Sequence, residues 1–279
     1  MQLALNTIAF EPNRWKPDKS LARPLEPILE AVSRAGYSAC EIWQYHISNR
    51  TQDDVKTLAA KAHALGLSVP AIGAYPALHL SGAERQREME AFKRIIDACA
   101  IMAARTVKIF CGRIASSEVT SEMRGVCLAF LREIVDRAGD RGVTITAETH
   151  GRTLADSVAA CQTLIGDISA AHFRVCFQPY DMLNLEQALR DYDELREHIS
   201  HIHLQARDAK GFCLMKESPF DFRAFLRHVR LSGFNGLLSV EFVKHCAPLL
   251  PADYSDDLVI ASASEDRVFV EDSWRAAGM

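Results

Sequence analysis

The alternation of short apolar runs with longer segments of helical periodicity constrains this chain more than any single motif. Strands are predicted near 2–8, 39–43, 68–75, 106–111, 143–148, 173–178, 200–205 and 237–242. Between them, Met123, Val126, Cys127, Phe130, Leu131, Ile134 and Val135 recur at helical spacing, as do Phe222, Phe225, Leu226 and Val229. One stripe of each such segment can pack on a sheet. Helix starts are marked by Thr51 with Asp54, Ser81 with Glu84, Thr153 with Asp156, and Asn184 with Gln187. A strand that follows such a crossover pairs in parallel, and a parallel sheet needs cover on both faces. Eight units in 279 residues suit a closed α/β barrel, the (β/α)8 or TIM barrel, which takes roughly 250 residues. One domain over 1–279 is expected, with segments 10–24 and 243–256 as loops over the barrel mouth and a last helix at about 257–276.

Composition narrows the function classes. A formal net charge of −4 supplies no basic excess for phosphate neutralisation, so a nucleic-acid partner is not expected. The opening MQLALNTIAF has neither a basic start nor a long apolar run, and no stretch reaches the roughly 20 apolar residues of a membrane span. No membrane role and a cytoplasmic location are the expectations. The eight cysteines form no CxxC pair and fall in apolar patterns, which reads as buried thiols in a reducing compartment.

Strand parity sorts side chains between the helices and the barrel axis. In VTITAET, Val143, Ile145 and Ala147 are apolar, so Thr144, Thr146 and Glu148 face inward. In FRVCFQP, Arg174, Cys176 and Gln178 face in; in HISHIHLQ, His201, His203 and Gln205 do. In LLSVEF, Leu238, Val240 and Phe242 face out, leaving Ser239 and Glu241 inside. Four consecutive strands therefore aim Glu148, Gln178, His203 and Glu241 at one point. Two carboxylates, an imidazole and an amide oxygen in a confined site call for a positive charge among them. A divalent cation answers that need, and the oxygen-rich set suits Mn2+, Mg2+ or Co2+, with Zn2+ also allowed. The plainer alternative is a set of hydrogen-bonded polar groups in the barrel layers.

The segments GYSACEIW (36–43), AETHG (147–151), HIHL (201–204) and GFNGLLSVEF (233–242) resemble the strand-end patterns of the xylose isomerase-like superfamily, the sugar phosphate isomerase and epimerase family. That resemblance implies metal ligands at Glu148, position 178, His203 and Glu241, and proton transfer by Glu148 and Glu241. Gln178 departs from the usual Asp, and the chain is similar to a branch with Gln-Pro after the sixth strand. Asp181 stands where many members carry a substrate-touching His. The implied activity is a metal-dependent sugar or polyol isomerase or epimerase that removes a proton next to a carbonyl. Two alternatives accompany it: a lyase or dehydratase acting on a keto-sugar, keto-inositol or keto-glycoside, and a metal-poor sugar-binding or inactive homologue. Endonuclease-type relatives use a richer His/Glu/Asp trinuclear cluster and a basic surface, neither of which is evident here.

Further pocket candidates are Glu41, Trp43 and His46 after the second strand, Lys108 on the fourth, His150 beside Glu148, and Arg207 after the seventh. Trp43 can offer a flat face to a sugar ring or simply pack at the rim. Lys108, facing inward, needs an anion, whether substrate or internal salt bridge. His46, His150 and Arg207 lie just past strand ends, where solvent or ligand can receive them. The partner is expected to be a small-molecule sugar or polyol, and a homo-oligomer is left open.

Overall fold

The computed structural model describes residues 1–248 and 251–278. Its strands are β1 (Gln2–Asn6), β2 (Ala39–Trp43), β3 (Ser68–Ala74), β4 (Thr106–Ile109), β5 (Thr144–Glu148), β6 (Phe173–Phe177), β7 (Ile199–Gln205), the short β8 (Arg207–Asp208) and β9 (Gly211–Phe212), and β10 (Leu237–Phe242). Eight of them close in the order β1-β10-β7-β6-β5-β4-β3-β2, and every neighbouring pair is parallel. The antiparallel β8–β9 hairpin stands outside the barrel and was not anticipated from the sequence. Around the barrel run α1 (Leu25–Arg34), α2 (Gln52–Ala64), α3 (Gly82–Met102), α4 (Ser121–Gly139), α5 (Val158–Ile168), α6 (Leu185–Leu195), α7 (Phe222–Leu231) and α8 (Asp256–Ala276). No helix among the described residues is long and apolar enough to cross a membrane.

The local signals held unevenly. Thr51 and Asp54 form a reciprocal capping box, and Asn184 accepts from the Gln187 amide. Ser81 makes no capping bond. Thr153 is a turn residue instead: its hydroxyl donates to the His150 carbonyl and accepts from Ala155 N, while Ser157 caps α5. β1 stops at Asn6, whose side chain accepts from Ile8 N and starts a 3-10 turn, so the strand is shorter than its apolar run. β4 likewise ends at Ile109, short of the predicted 111.

Parity held for most of the barrel. Ile145, Val175, Ile202 and Leu238 belong to the main core between sheet and helices. Inside the barrel, Ala4, Ala39, Ala71 and Leu237 form a separate small cluster at the end where the strands begin. The exception is Phe242. The β7–β10 register shifts between Val240 and Phe242, and such an irregularity re-aims side chains. Phe242 consequently reaches the mouth beside Glu241, against Trp15 and Phe212, while still joining the main core. All eight cysteines are buried and free.

The two long loops meet. Arg14 donates to the carbonyls of Glu11 and Cys246, and Arg23 pairs with Asp256 at 2.7 Å. Residues 249 and 250 of the second loop lie outside the described residues.

Candidate functional site

Glu148 ends β5, Gln178 follows β6, His203 lies in β7 and Glu241 in β10, so parallel closure brings them to one mouth. Donor atoms of Glu148, His203 and Glu241 all lie within 4.8 Å of one another. His203 Nδ1 is 3.7 Å from Glu148 Oε1 and 3.6 Å from Glu241 Oε2. On its other side, His203 Nε2 sits 3.0 Å from Glu41 Oε2. A proton on Nε2 donated to Glu41 leaves Nδ1 facing the two carboxylates, the arrangement by which a buried carboxylate orients a ligating imidazole. Burial alone would lower the His203 pKa, but Cys176, Glu41, Glu241 and Glu148 around it raise it well above the ordinary imidazole value. The cluster attracts positive charge, whether proton or cation.

Lys108 is fully buried, and its Nζ lies 2.7 Å from Glu148 Oε2 and 3.2 Å from the Tyr75 hydroxyl. Burial would push a lone ammonium toward neutrality; Glu148, first among its partners, raises the Lys108 pKa well above its usual value instead. Burial would likewise raise Glu148, yet the Lys108 charge outweighs it and brings the carboxyl down to about 2. Of the two partners considered for Lys108, substrate or internal salt bridge, the structure has the salt bridge, and Lys108 is not among the residues lining the mouth. Gly73 makes room for it, since a Cβ there would stand 3.1 Å from Glu41 Oε1 and 3.4 Å from Lys108 Cε.

Thr149 holds the next position. Its hydroxyl donates to the Gln178 carbonyl and accepts from the Gln178 amide, both at 2.7 Å, which clamps the backbone and leaves the side chain free. Gln178 Oε1, His203 Nδ1 and both Glu148 oxygens are buried without a hydrogen-bond partner among the described residues. The Lys108 ion pair, and after it the His203 ring, compensate the Glu148 charge. Buried acceptors are rarely left so; Glu148, His203 and Glu241 form one of two groups among the described residues whose atoms could hold a metal ion, the other being Cys176, His201 and His203.

Above them opens a cavity of about 350 Å³, lined by Glu148, Gln178 and Glu241 and by Trp43, His150 and Arg207. Two larger cavities, of about 510 Å³ beside Arg50 and Phe92 and about 1010 Å³ beside Gln2 and Leu237, contain none of the carboxylate–imidazole cluster. The structure does not bring Glu41, His46 or Asp181 to the mouth. Glu41 lies beneath His203, fully buried. The chain turns into a 3-10 helix, Gln44–His46, right after Trp43, which swings His46 behind that ring. There its Nδ1 lies 3.0 Å from the Arg23 carbonyl, and burial lowers its pKa to about 4. Asp181 is exposed and accepts from Leu183 N at 2.9 Å; its neighbour Met182 takes the place on the cavity wall.

Several wall residues escaped sequence reading: Arg14, Trp15, Lys19, Tyr75, Phe110 and Arg113. Phe110 shares the inward parity of Lys108 and was open to that argument. The others come from loops or strand exits, where no periodicity points.

Residues 29–260 match the family model described as xylose isomerase-like TIM barrel. Among curated proteins, 3-dehydroshikimate dehydratase of Bacillus anthracis is 20% identical over 185 residues, 64% of this chain and 65% of that protein, so the match spans less than two thirds of the relative. D-psicose 3-epimerase of Clostridium cellulolyticum H10, solved with D-tagatose, superposes with TM-score 0.76 at 14% identity, over 98% of this chain and 99% of its own. A xylose isomerase-like barrel from Mycobacterium smegmatis in complex with magnesium superposes with TM-score 0.73 at 15% identity, over 99% and 97%. At these identities the structural likeness speaks to the fold. With the model spanning most of the closed barrel and the strand-end cluster in its mouth, the chain belongs to the xylose isomerase-like TIM barrel family.

Proposed function

We propose that this protein is a divalent-cation-dependent enzyme that removes a proton next to a carbonyl of a small polyhydroxy substrate, as an isomerase or epimerase. The observation that carries this reading is the convergence of Glu148, His203 and Glu241 within 4.8 Å beside the unpartnered Gln178 amide oxygen. Glu148, Gln178, His203 and Glu241 would hold the cation, with Mn2+, Mg2+, Co2+ or Zn2+ as candidates. The chemistry it supplies when bound is polarisation of a carbonyl and stabilisation of the charge left by proton removal.

The chain's own groups divide the remaining work. Glu41 keeps the His203 ring turned so that Nδ1 faces the site. Lys108 keeps Glu148 ionised. Glu241 has no Lys or Arg ion-pair partner among the described residues, so its carboxylate is the freer proton acceptor. For the return step Glu148 would first receive a proton from the Lys108 ammonium and pass it on, and the proton taken by Glu241 would then restore Lys108. Trp43 and His150 bound the cavity against solvent. Delivery of a proton to the opposite face of the same carbon inverts it, and delivery to the neighbouring carbon isomerises the substrate. Loss of a β-hydroxyl would make the enzyme a dehydratase; the Bacillus anthracis relative favours that second reading.

The test is solvent deuterium incorporation into keto-sugars and hydroxy-keto acids, followed by NMR with each of the four cations. Exchange next to the carbonyl, abolished in Glu241→Gln, is expected. Metal content after dialysis should fall to background in His203→Ala and Gln178→Ala and rise in Gln178→Glu, which restores a third carboxylate. Absence of exchange with every cation, together with unchanged metal content in His203→Ala, would overturn the reading.

A further inference from the structure

The floor and the rim of the mouth carry opposite charge. Glu148 and Glu241 form the floor, whereas Arg14, Lys19, Arg113 and Arg207 line the wall, and none of these four cations has an ion-pair partner among the described residues. Arg14 is the clearest case, at 3% exposure. Its guanidinium donates to the neutral carbonyls of Glu11 and Cys246, and its buried Nε has no partner. It lies 5.5 Å from the Trp15 ring and 5.6 Å from Phe242. The nearby Glu11 carboxylate is already taken by the amides of Asn13 and Arg23, at 2.8 and 2.7 Å. Lys19 Nζ also donates only to carbonyls, those of Arg14 and Lys16. Its pKa is lowered by burial and then by the like charge of Arg113, which the Glu11 carboxylate only partly offsets. Arg207 stands 4.7 Å over the Phe212 ring with no acid partner.

One nearby carboxylate, Glu11, cannot balance four cations around an aromatic-walled cavity, and these repel one another unless an anion joins them. A neutral polyol gains little from such a wall. A carboxylate or phosphate gains charge-assisted and bidentate hydrogen bonds from guanidinium groups. We infer that the substrate carries an anionic group, a carboxylate or a phosphate, bound by Arg14, Lys19, Arg113 and Arg207 at the end remote from the Glu148–His203–Glu241 cluster. The site thus takes a hydroxy-keto acid or a sugar phosphate in preference to a free sugar. This rests on the function proposed above, and it adds the substrate class.

Calorimetry on the metal-loaded protein with two matched pairs tests it: D-tagatose 6-phosphate against D-tagatose, and D-gluconate against its amide. In at least one pair the anion should bind about tenfold or more tightly, the worth of one or two charged hydrogen bonds. The preferred pair identifies phosphate or carboxylate. That preference should shrink about tenfold in Arg207→Gln and Arg113→Gln, which lie at the open rim, and weaken between about 50 and about 300 mM salt. Affinity for the neutral member should change less than that for the anion. Equal affinity within both pairs, or binding of none of the four, overturns the inference. Deuterium exchange separates the two claims. Glu241-dependent exchange without anion preference keeps the enzyme and removes the anion site; anion preference without exchange does the reverse.

Discussion

The two ends of the barrel interior stand on the same strands with the same inward parity, yet they are filled by opposite chemistry. Where the strands begin, Ala4, Ala39, Ala71 and Leu237 form a small apolar plug. Further along the same strands, β2 carries Glu41 and β10 carries Glu241, with Lys108, Glu148 and His203 beside them. The plug needs only volume, since apolar packing is non-directional. The mouth needs each charge matched to another, because a buried ion without a partner is costly. Stability at one end and chemistry at the other is the division expected of a TIM barrel.

The largest effect should come from breaking a match at the mouth. Lys108→Met leaves Glu148 as a buried carboxylate without its ammonium and should cost about 3–5 kcal/mol. Urea denaturation measures this, and the double variant Lys108→Met/Glu148→Gln should recover much of the loss. If Lys108→Met is neutral, pairing is not what distinguishes this end.

At the plug, Ala71→Leu should cost about 1–3 kcal/mol by overpacking, while metal retention stays at the wild-type level. A variant that unfolds no sooner but loses metal would show that the two ends are coupled.

The smallest effect sharpens the comparison with a buried carboxylate far from the mouth. Asp266 in α8 accepts from Met215 N at 2.8 Å, but its other oxygen is buried without a partner, and burial raises its pKa to about 7. The folded state therefore binds this proton more tightly than the unfolded chain does. Its contribution is fully present below the unfolded value near 3.8 and is lost as pH rises through about 7. Between about pH 6 and about pH 8, stability should fall by about 1 kcal/mol from this group. Asp266→Asn should flatten that slope in thermal melts taken across this range. An unchanged slope would mean that Asp266 is ionised throughout, as Glu148 is.

Much of this arrangement was legible in the sequence. Period-two alternation in VTITAET and HISHIHLQ places Glu148 and His203 inside the barrel, and side-chain period is a local property of an extended backbone. Parallel pairing follows from the helices between the strands. Phe242 was misplaced because a register shift belongs to the pair of strands and not to either one. His46 and Asp181 were misplaced because both lie past a strand end, where the period stops and turn geometry takes over.

The sequence by itself determined the eight-fold alternation and the inward face of most strands, and with them the expectation that Glu148, Gln178, His203 and Glu241 point to one mouth. Those depend on residue type and on spacing along one segment. Only the tertiary structure decided that Lys108 spends its charge on Glu148, that Glu41 supports His203 from below, and that Arg14, Lys19, Arg113 and Arg207 line the mouth without ion-pair partners among the described residues. Each of these is a meeting of residues distant in the chain. Whether a buried charge is satisfied is settled by what closure of the barrel and folding of its loops bring within about 4 Å of it.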